Sequence, residues 1–245
     1  MRVKANWAQF EGADLADQLI SVIGAGSIGQ QVIGFIGKTP GFSISRILTK
    51  NGTPDTADTE LFFTEPAGLF IETAGPSALR KFGARALAVA ELWTVSASAL
   101  ADDSFRQQLI EVGNKHGNVL RLFSPWIPGI GHDKKNPSHR LHIRQSGPQI
   151  GDNWAGSLRE AVLQFPDDLN SATAAALCGP GIDATSIELI DTGPSGAYRF
   201  EAVLSTKFGR FESCAEFMAG SSDIHPTAAA IESALRNERR TIQYG

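Results

Sequence analysis

With 245 residues, 42% of them apolar, the chain is long enough to bury a sizeable core in one large domain or two small ones. Lys and Arg number 22 against 26 Asp and Glu, and the net charge of -4 excludes the basic footprint of a nucleic-acid binder or of a protein held on an anionic membrane. No run approaches the roughly 20 apolar residues of a membrane span, the opening MRVKANWAQFEGADLADQ lacks the apolar stretch of a signal peptide, and a cytoplasmic location is expected.

Leu19 to Gly29 reads LISVIGAGSIG. A branched apolar run ends in Gly24-Ala25-Gly26-Ser27-Ile28-Gly29, and apolar residues at helical spacing follow from Val32 to Ile36. Strand, glycine turn and helix in that order form a dinucleotide fingerprint. Gly24 permits the tight turn, Gly26 lets main-chain amides approach a pyrophosphate, and Gly29 lets helix and strand pack closely. The anion would rest on the helix N-terminus.

Phe42 to Thr49 reads as the second strand. The residue just past such a strand selects the cofactor, an acid for the adenosine ribose or a cation for a 2'-phosphate. Thr49, Lys50 and Asn51 stand there, with no acid before Asp55, which favours NADP or use of both NAD and NADP. Short strands are expected at Glu60 to Thr64 and Gly68 to Glu72, the latter ending in Thr73-Ala74-Gly75-Pro76. A helix from about Ala78 to Ala90 follows, with Pro76 in its first turn. Leu92 to Ser96 is the next strand, Asp102 to His116 an amphipathic helix, and Leu120 to Phe123 the closing strand. The alternation predicts a doubly wound parallel sheet of the Rossmann type, whose ligands lie at the carboxyl ends of the strands. The loops Thr73-Ala74-Gly75 and Ser96-Ala97-Ser98 are therefore expected cofactor walls.

The Pro- and Gly-rich SPWIPGIGHDKKNPSH from Ser124 marks a crossover. Beyond it come a strand at Arg140 to Arg144, helices at Gly156 to Phe165 and Asn170 to Leu177, a strand at Ser186 to Ile190, and a hairpin of Tyr198 to Ser205 with Phe208 to Phe217. The last helix spans Pro226 to Asn237. The organisation expected is a dinucleotide unit over 1–123, onto which the segment 221–245 packs back, and a smaller α+β substrate and dimerisation unit with a mixed sheet over 124–220. Cys178 and Cys214 share no metal or redox spacing and read as small buried apolar groups. His139 and His142, three apart on a strand, point to opposite faces, and no metal site is expected.

The IGAGSIG turn, ETAGPSAL at 72–79, SASALAD at 96–102 and above all GSLREAVLQFPDDLNSATAAALCGPGIDATSIELI at 156–190 resemble the L-aspartate dehydrogenase family over nearly the whole chain. The resemblance implies oxidation of aspartate with NAD or NADP to an imine that hydrolyses to oxaloacetate and ammonia, or the reverse, in a homodimer. It implies that Asn170 faces nicotinamide and substrate, although an asparagine there also suits a helix cap. Where the family carries its acid/base histidine, this chain has Tyr198, which at neutral pH serves as a hydrogen-bond donor.

Proton transfer would fall to Tyr198, to His132 in the crossover, or to His225 at the start of the last helix. Ser124, Trp126, Ile127 and His132 are the candidate substrate residues, with main-chain amides of 126–131 and Lys134, Lys135, Arg144 or Arg199 as partners for substrate carboxylates. Two alternatives stay open: the same cofactor with another amine, imine or oxo substrate, and a dinucleotide-binding homologue without turnover.

Overall fold

The computed structural model describes residues 17–50, 59–64, 66–124, 138–148, 150, 153–194, 196–207, 209–217 and 224–242. Two five-stranded sheets organise them. The first contains β1 (Gln18–Ile23), β2 (Phe42–Leu48), β3 (Leu69–Glu72), β4 (Glu91–Thr94) and β5 (Leu120–Leu122), all parallel, in the order β2-β1-β3-β4-β5. Ile20, Val22 and Ile23 are buried, as expected of a parallel strand covered on both faces. The chain leaves β1 toward β2 on one side and then crosses to β3 on the other. This is a topological switch point, where open α/β sheets leave a crevice for ligands.

Helices α1 (Ser27–Ile36), α3 (Pro76–Val89) and α4 (Asp103–His116) follow β1, β3 and β4, with a 3-10 turn at Ala97–Ala101 before α4. Pro76 opens α3 where its missing N–H costs nothing. Asp102 caps α4 by accepting from Ser104 N and Phe105 N, and Gly117 ends it in the left-handed region at φ 73°. The C-terminal helix α7 (Pro226–Glu238) lies against α1: Ala228, Ile231 and Leu235 join Val32, Ile36, Ile20, Val22 and Trp93 in one buried cluster.

The second sheet runs β10-β9-β6-β8-β7, formed by β6 (Arg140–Gly147), β7 (Trp154–Ser157), β8 (Thr185–Asp191), β9 (Tyr198–Thr206) and β10 (Gly209–Phe217). It is mixed: β6 and β8 are parallel and the other pairs antiparallel. Its inner face, with Leu141, Ile143, Ile187, Leu189, Phe200, Ala202 and Leu204, packs on α5 (Leu158–Gln164) and α6 (Asn170–Cys178). Small residues on α6, among them Ala172, Ala175 and Ala176, let that helix approach closely. The outer face carries the ion pairs Arg144–Glu188, Arg199–Glu201, Arg199–Glu216 and Arg210–Glu212.

Three expectations are corrected. Residues 60–64, expected as a strand, belong to helix α2 (Thr59–Thr64), because Phe62 and Phe63 both bury against Phe70 in an aromatic cluster that six residues of local pattern do not reveal. The helix expected from Gly156 begins at Leu158, after β7 pairs Trp154 with Leu189; Ser157 caps it by accepting from Glu160 N. Cys178 and Cys214 are exposed thiols rather than buried groups. No helix of the described residues is long and apolar enough to cross a membrane.

Hydrogen bonds from Ser104 and Phe105, with the Arg80 guanidinium, hold the Asp102 carboxyl at about 2, below its usual 3.8. Its stabilising contribution is present above pH 3.8 and disappears as the pH falls through about 2. Asp102→Ala should therefore lower the urea midpoint at pH 7, with the gap to wild type narrowing as the pH falls between these values. A gap independent of pH would contradict this account.

Candidate active site

The carboxyl ends of β1 to β5 share one edge of the first sheet, and the glycine turn sits at its switch point. Gly24 has φ 100°, and a Cβ there would meet Ala74 N and Cβ at 2.8 Å. A Cβ on Gly29 would overlap the Gly24 carbonyl oxygen and lie 2.8 Å from the Thr73 hydroxyl, so helix α1 and the loop after β3 close on the turn only because both residues lack side chains. Thr73 Oγ1 donates within reach of the Ile23 and Gly24 carbonyls at 3.3 and 3.2 Å. Gly26 differs: nothing lies within 4 Å of its Cβ position, and no side chain caps the helix it begins. The first amides of α1 thus face open space at the positive end of the helix, the arrangement that holds a pyrophosphate.

The walls of this crevice are tied together from below. Glu72 is fully buried at the end of β3; its Oε1 accepts from Ala74 N at 2.6 Å and Gly75 N at 2.9 Å, and its Oε2 from Thr94 Oγ1 at 2.5 Å. Burial pushes the Glu72 carboxyl above its usual range, while these bonds pull it back. Thr94 Oγ1 in turn accepts from Ser96 N at 3.0 Å. Ala97 and Ser98 are buried in the 3-10 turn that follows.

That turn meets the second sheet through Asn170. Its Oδ1 accepts from Ser98 N at 3.1 Å and Ser98 Oγ at 2.9 Å, and its Nδ2 donates to Asp167 O at 3.1 Å. Leu169 is the N-cap of α6, so the Asn170 side chain bridges the two sheets' units instead of capping its helix. A second bridge is Arg159, which donates to Ala101 O at 2.9 Å and pairs with Asp103 and Asp183.

Beside the α6 N-terminus, buried Gln145 donates to Asp168 O at 3.1 Å, and its Oε1 has no partner among the described residues. Two residues further along the same face of β6, the Cβ position of Gly147 is 2.5 Å from the Tyr198 ring. The Tyr198 ring thus lies over Gly147, two residues along β6 from Gln145. Burial and the neighbouring Asp167 raise the Asp168 carboxyl above its usual range.

Of the other residues singled out in the sequence, Lys50 is exposed just past β2, and Ser124 follows β5 at the same edge. His225 caps α7 through Nδ1, which accepts from Thr227 N, and its main-chain N–H donates to Gln31 Oε1 on α1 at 2.7 Å. Burial lowers the His225 pKa, and the cap likewise requires a neutral ring. His142 lies on the outer face of the second sheet, 2.9 Å from Ser186 Oγ. Trp126, Ile127 and His132 lie outside the described residues, as do Lys134 and Lys135. Glu72, Thr94, Gln145 and Asp168 are not among the residues singled out in the sequence, whereas Ser98 lies in the expected wall 96–98. An acid ending the apolar run LFIE immediately before a helix start was the available signal for Glu72.

No family model matches the chain. L-aspartate dehydrogenase 1 of Bordetella pertussis is 28% identical over 198 residues, covering 74% of this chain and 74% of that protein. L-aspartate dehydrogenase of Ruegeria pomeroyi is 29% identical over 224 residues, covering 78% and 81%. In sequence the chain is similar to L-aspartate dehydrogenases. In fold it is similar to the aspartate dehydrogenase of Thermotoga maritima, with a TM-score of 0.67 over 94% of this chain and 100% of that one at 18% identity. The likeness to aspartate dehydrogenase therefore extends over both sheets.

The two glycines separate folding from binding. Gly26→Ala adds a methyl where nothing stands, so its melting temperature should stay within about 2 °C of wild type while NADPH binding weakens about tenfold or more. Gly29→Ala should lower both, because its methyl strikes main chain. Calorimetric melts with fluorescence titration check the pair; equal melting losses would contradict the assignment.

Proposed function

We propose that this chain is an NAD(P)-dependent amino-acid dehydrogenase that interconverts a small, aspartate-like amino acid with its imine, and through hydrolysis with the 2-oxo acid and ammonia. The observation that carries the reading is the switch-point turn, where Gly26 and the first amides of α1 open on empty space while Gly24 and Gly29 admit no side chain. Sequence kinship to the L-aspartate dehydrogenases supports the reaction class.

The bound nicotinamide would supply the hydride acceptor or donor. The protein's share is orientation, charge placement and proton handling. The α1 amides would hold the pyrophosphate, Gly75 and Ser96 would wall the ribose and nicotinamide, and the exposed Lys50 would meet the adenosine end, compatible with NADP or NAD. Asn170, already fixed by Ser98, is rigid enough to orient a ring set against it. Tyr198 would donate a hydrogen bond from its phenol to the nitrogen or oxygen at the reacting carbon. Ser124 with Trp126, Ile127 and His132 would line the substrate side. As a cap, His225 acts on α7 and α1, which assigns it a structural rather than a catalytic part in this reading. A homodimer is part of the same reading, checked by sedimentation.

A second reading keeps the cofactor and changes the substrate, or drops turnover altogether; the tyrosine standing where kinship to aspartate dehydrogenases leads one to expect a histidine favours it. Oxidation of NADH and NADPH in the presence of ammonium and either oxaloacetate or other 2-oxo acids decides between them. The leading reading expects turnover with oxaloacetate, and turnover only with another oxo acid selects the second. Tyr198→Phe should lower kcat by about tenfold to a hundredfold with the KM for cofactor within about twofold. Equal losses in both would remove Tyr198 from the chemistry.

A further inference from the structure

Glu72 has no part in the reaction as described, yet it is the point where the walls of the crevice meet. Its neighbours on β3, Leu69, Phe70 and Ile71, are apolar and buried with it, so an acid at the end of this strand carries a desolvation cost that an apolar residue would avoid. Three donors reach that carboxyl, and a fourth group is linked to it through one of them. Ala74 N and Gly75 N reach Oε1, and both belong to the loop that opens α3, whose N-terminus favours a negative charge. Thr94 Oγ1 reaches Oε2, and the same hydroxyl oxygen accepts Ser96 N from the loop after β4.

The loop so held is the one that props the glycine turn. Ala74 stands 2.8 Å from the Cβ position of Gly24, and Thr73 bonds to the carbonyls of Ile23 and Gly24. One carboxylate therefore sets the relative positions of the exits of β1, β3 and β4, the three segments a dinucleotide would cross.

We propose that Glu72 is the positioning residue of the cofactor crevice, fixing loops 73–75 and 95–96 in the shape against which a nicotinamide dinucleotide packs. The assignment rests on the dinucleotide reading above. It predicts a difference between two variants. In Glu72→Gln the amide oxygen still accepts from Ala74 and Gly75, and its NH2 can donate to Thr94 Oγ1. In Glu72→Ala every one of these bonds is lost.

The test titrates NADPH and NADH into wild type and both variants by fluorescence, with circular dichroism and thermal melts on the free proteins. Glu72→Gln should bind within about threefold of wild type and Glu72→Ala about tenfold or more weaker. Folded Glu72→Ala with wild-type affinity overturns the assignment, and so does an equal loss in both variants. Should Glu72→Ala not fold, Thr94→Val decides: it severs the link between the two loops, and unchanged affinity overturns the proposal whereas about threefold or greater weakening supports it. Wild type binding neither NADPH nor NADH is a different failure, one that removes the dinucleotide reading itself.

Discussion

Main chain packed on main chain is the constraint from which the rest of this structure follows. The turn after β1 is pressed between the first turn of α1 and the loop after β3 so tightly that neither Gly24 nor Gly29 has room for a methyl group. Such an approach leaves polar main-chain groups without water, and each needs an internal partner. Gly24 N finds Leu48 O, Thr73 N finds Ile23 O, and the Thr73 hydroxyl takes up the carbonyls above it. The first amides of α1, which no side chain caps, are left for a ligand to complete.

The link from that edge to the second sheet is polar and specific rather than merely apolar. Asn170 uses both ends of its amide, toward Ser98 and toward Asp167, while Arg159 reaches a carbonyl of the 3-10 turn and two carboxylates. Exposed ion pairs of this kind contribute little stability. Their geometry instead fixes which residues of α6 and β6 face the exits of β4 and β5. The second sheet's side of the crevice is thereby positioned by a handful of hydrogen bonds across one joint.

The first sheet was legible because its signals are local. A branched apolar strand, three spaced glycines and a helical run lie within residues 19 to 36, and the alternation of strands and helices continues to residue 122. Residues 60–64 form a helix instead of the expected strand because Phe62 and Phe63 bury against Phe70 on the next strand, a contact outside so short a local pattern. The S-x-x-E pattern at Ser157 to Glu160 is the signal available in the sequence for the start of α5, two residues beyond the expected Gly156. The supporting groups beneath the crevice were legible only in part: the acid ending LFIE was an available signal, and Ser98 lay in an expected wall. Thr94 and Gln145 are ordinary residues in sequence, and they acquire meaning only when sheet register and the joint at α6 bring their partners within reach.

Helix α7 completes the core of the sheet that forms first in the chain. Ile231 and Leu235 seal Val32 and Ile36, and His225 reaches Gln31 across 194 residues of sequence. Closing so long a loop is entropically slow, and contacts of this separation lower the speed at which a chain reaches its native state. On the ribosome, the leading sheet would emerge with one flank of α1 uncovered and wait there through the synthesis of everything between. The second sheet would have the chance to assemble in that interval, so the order of completion is the reverse of the order of translation.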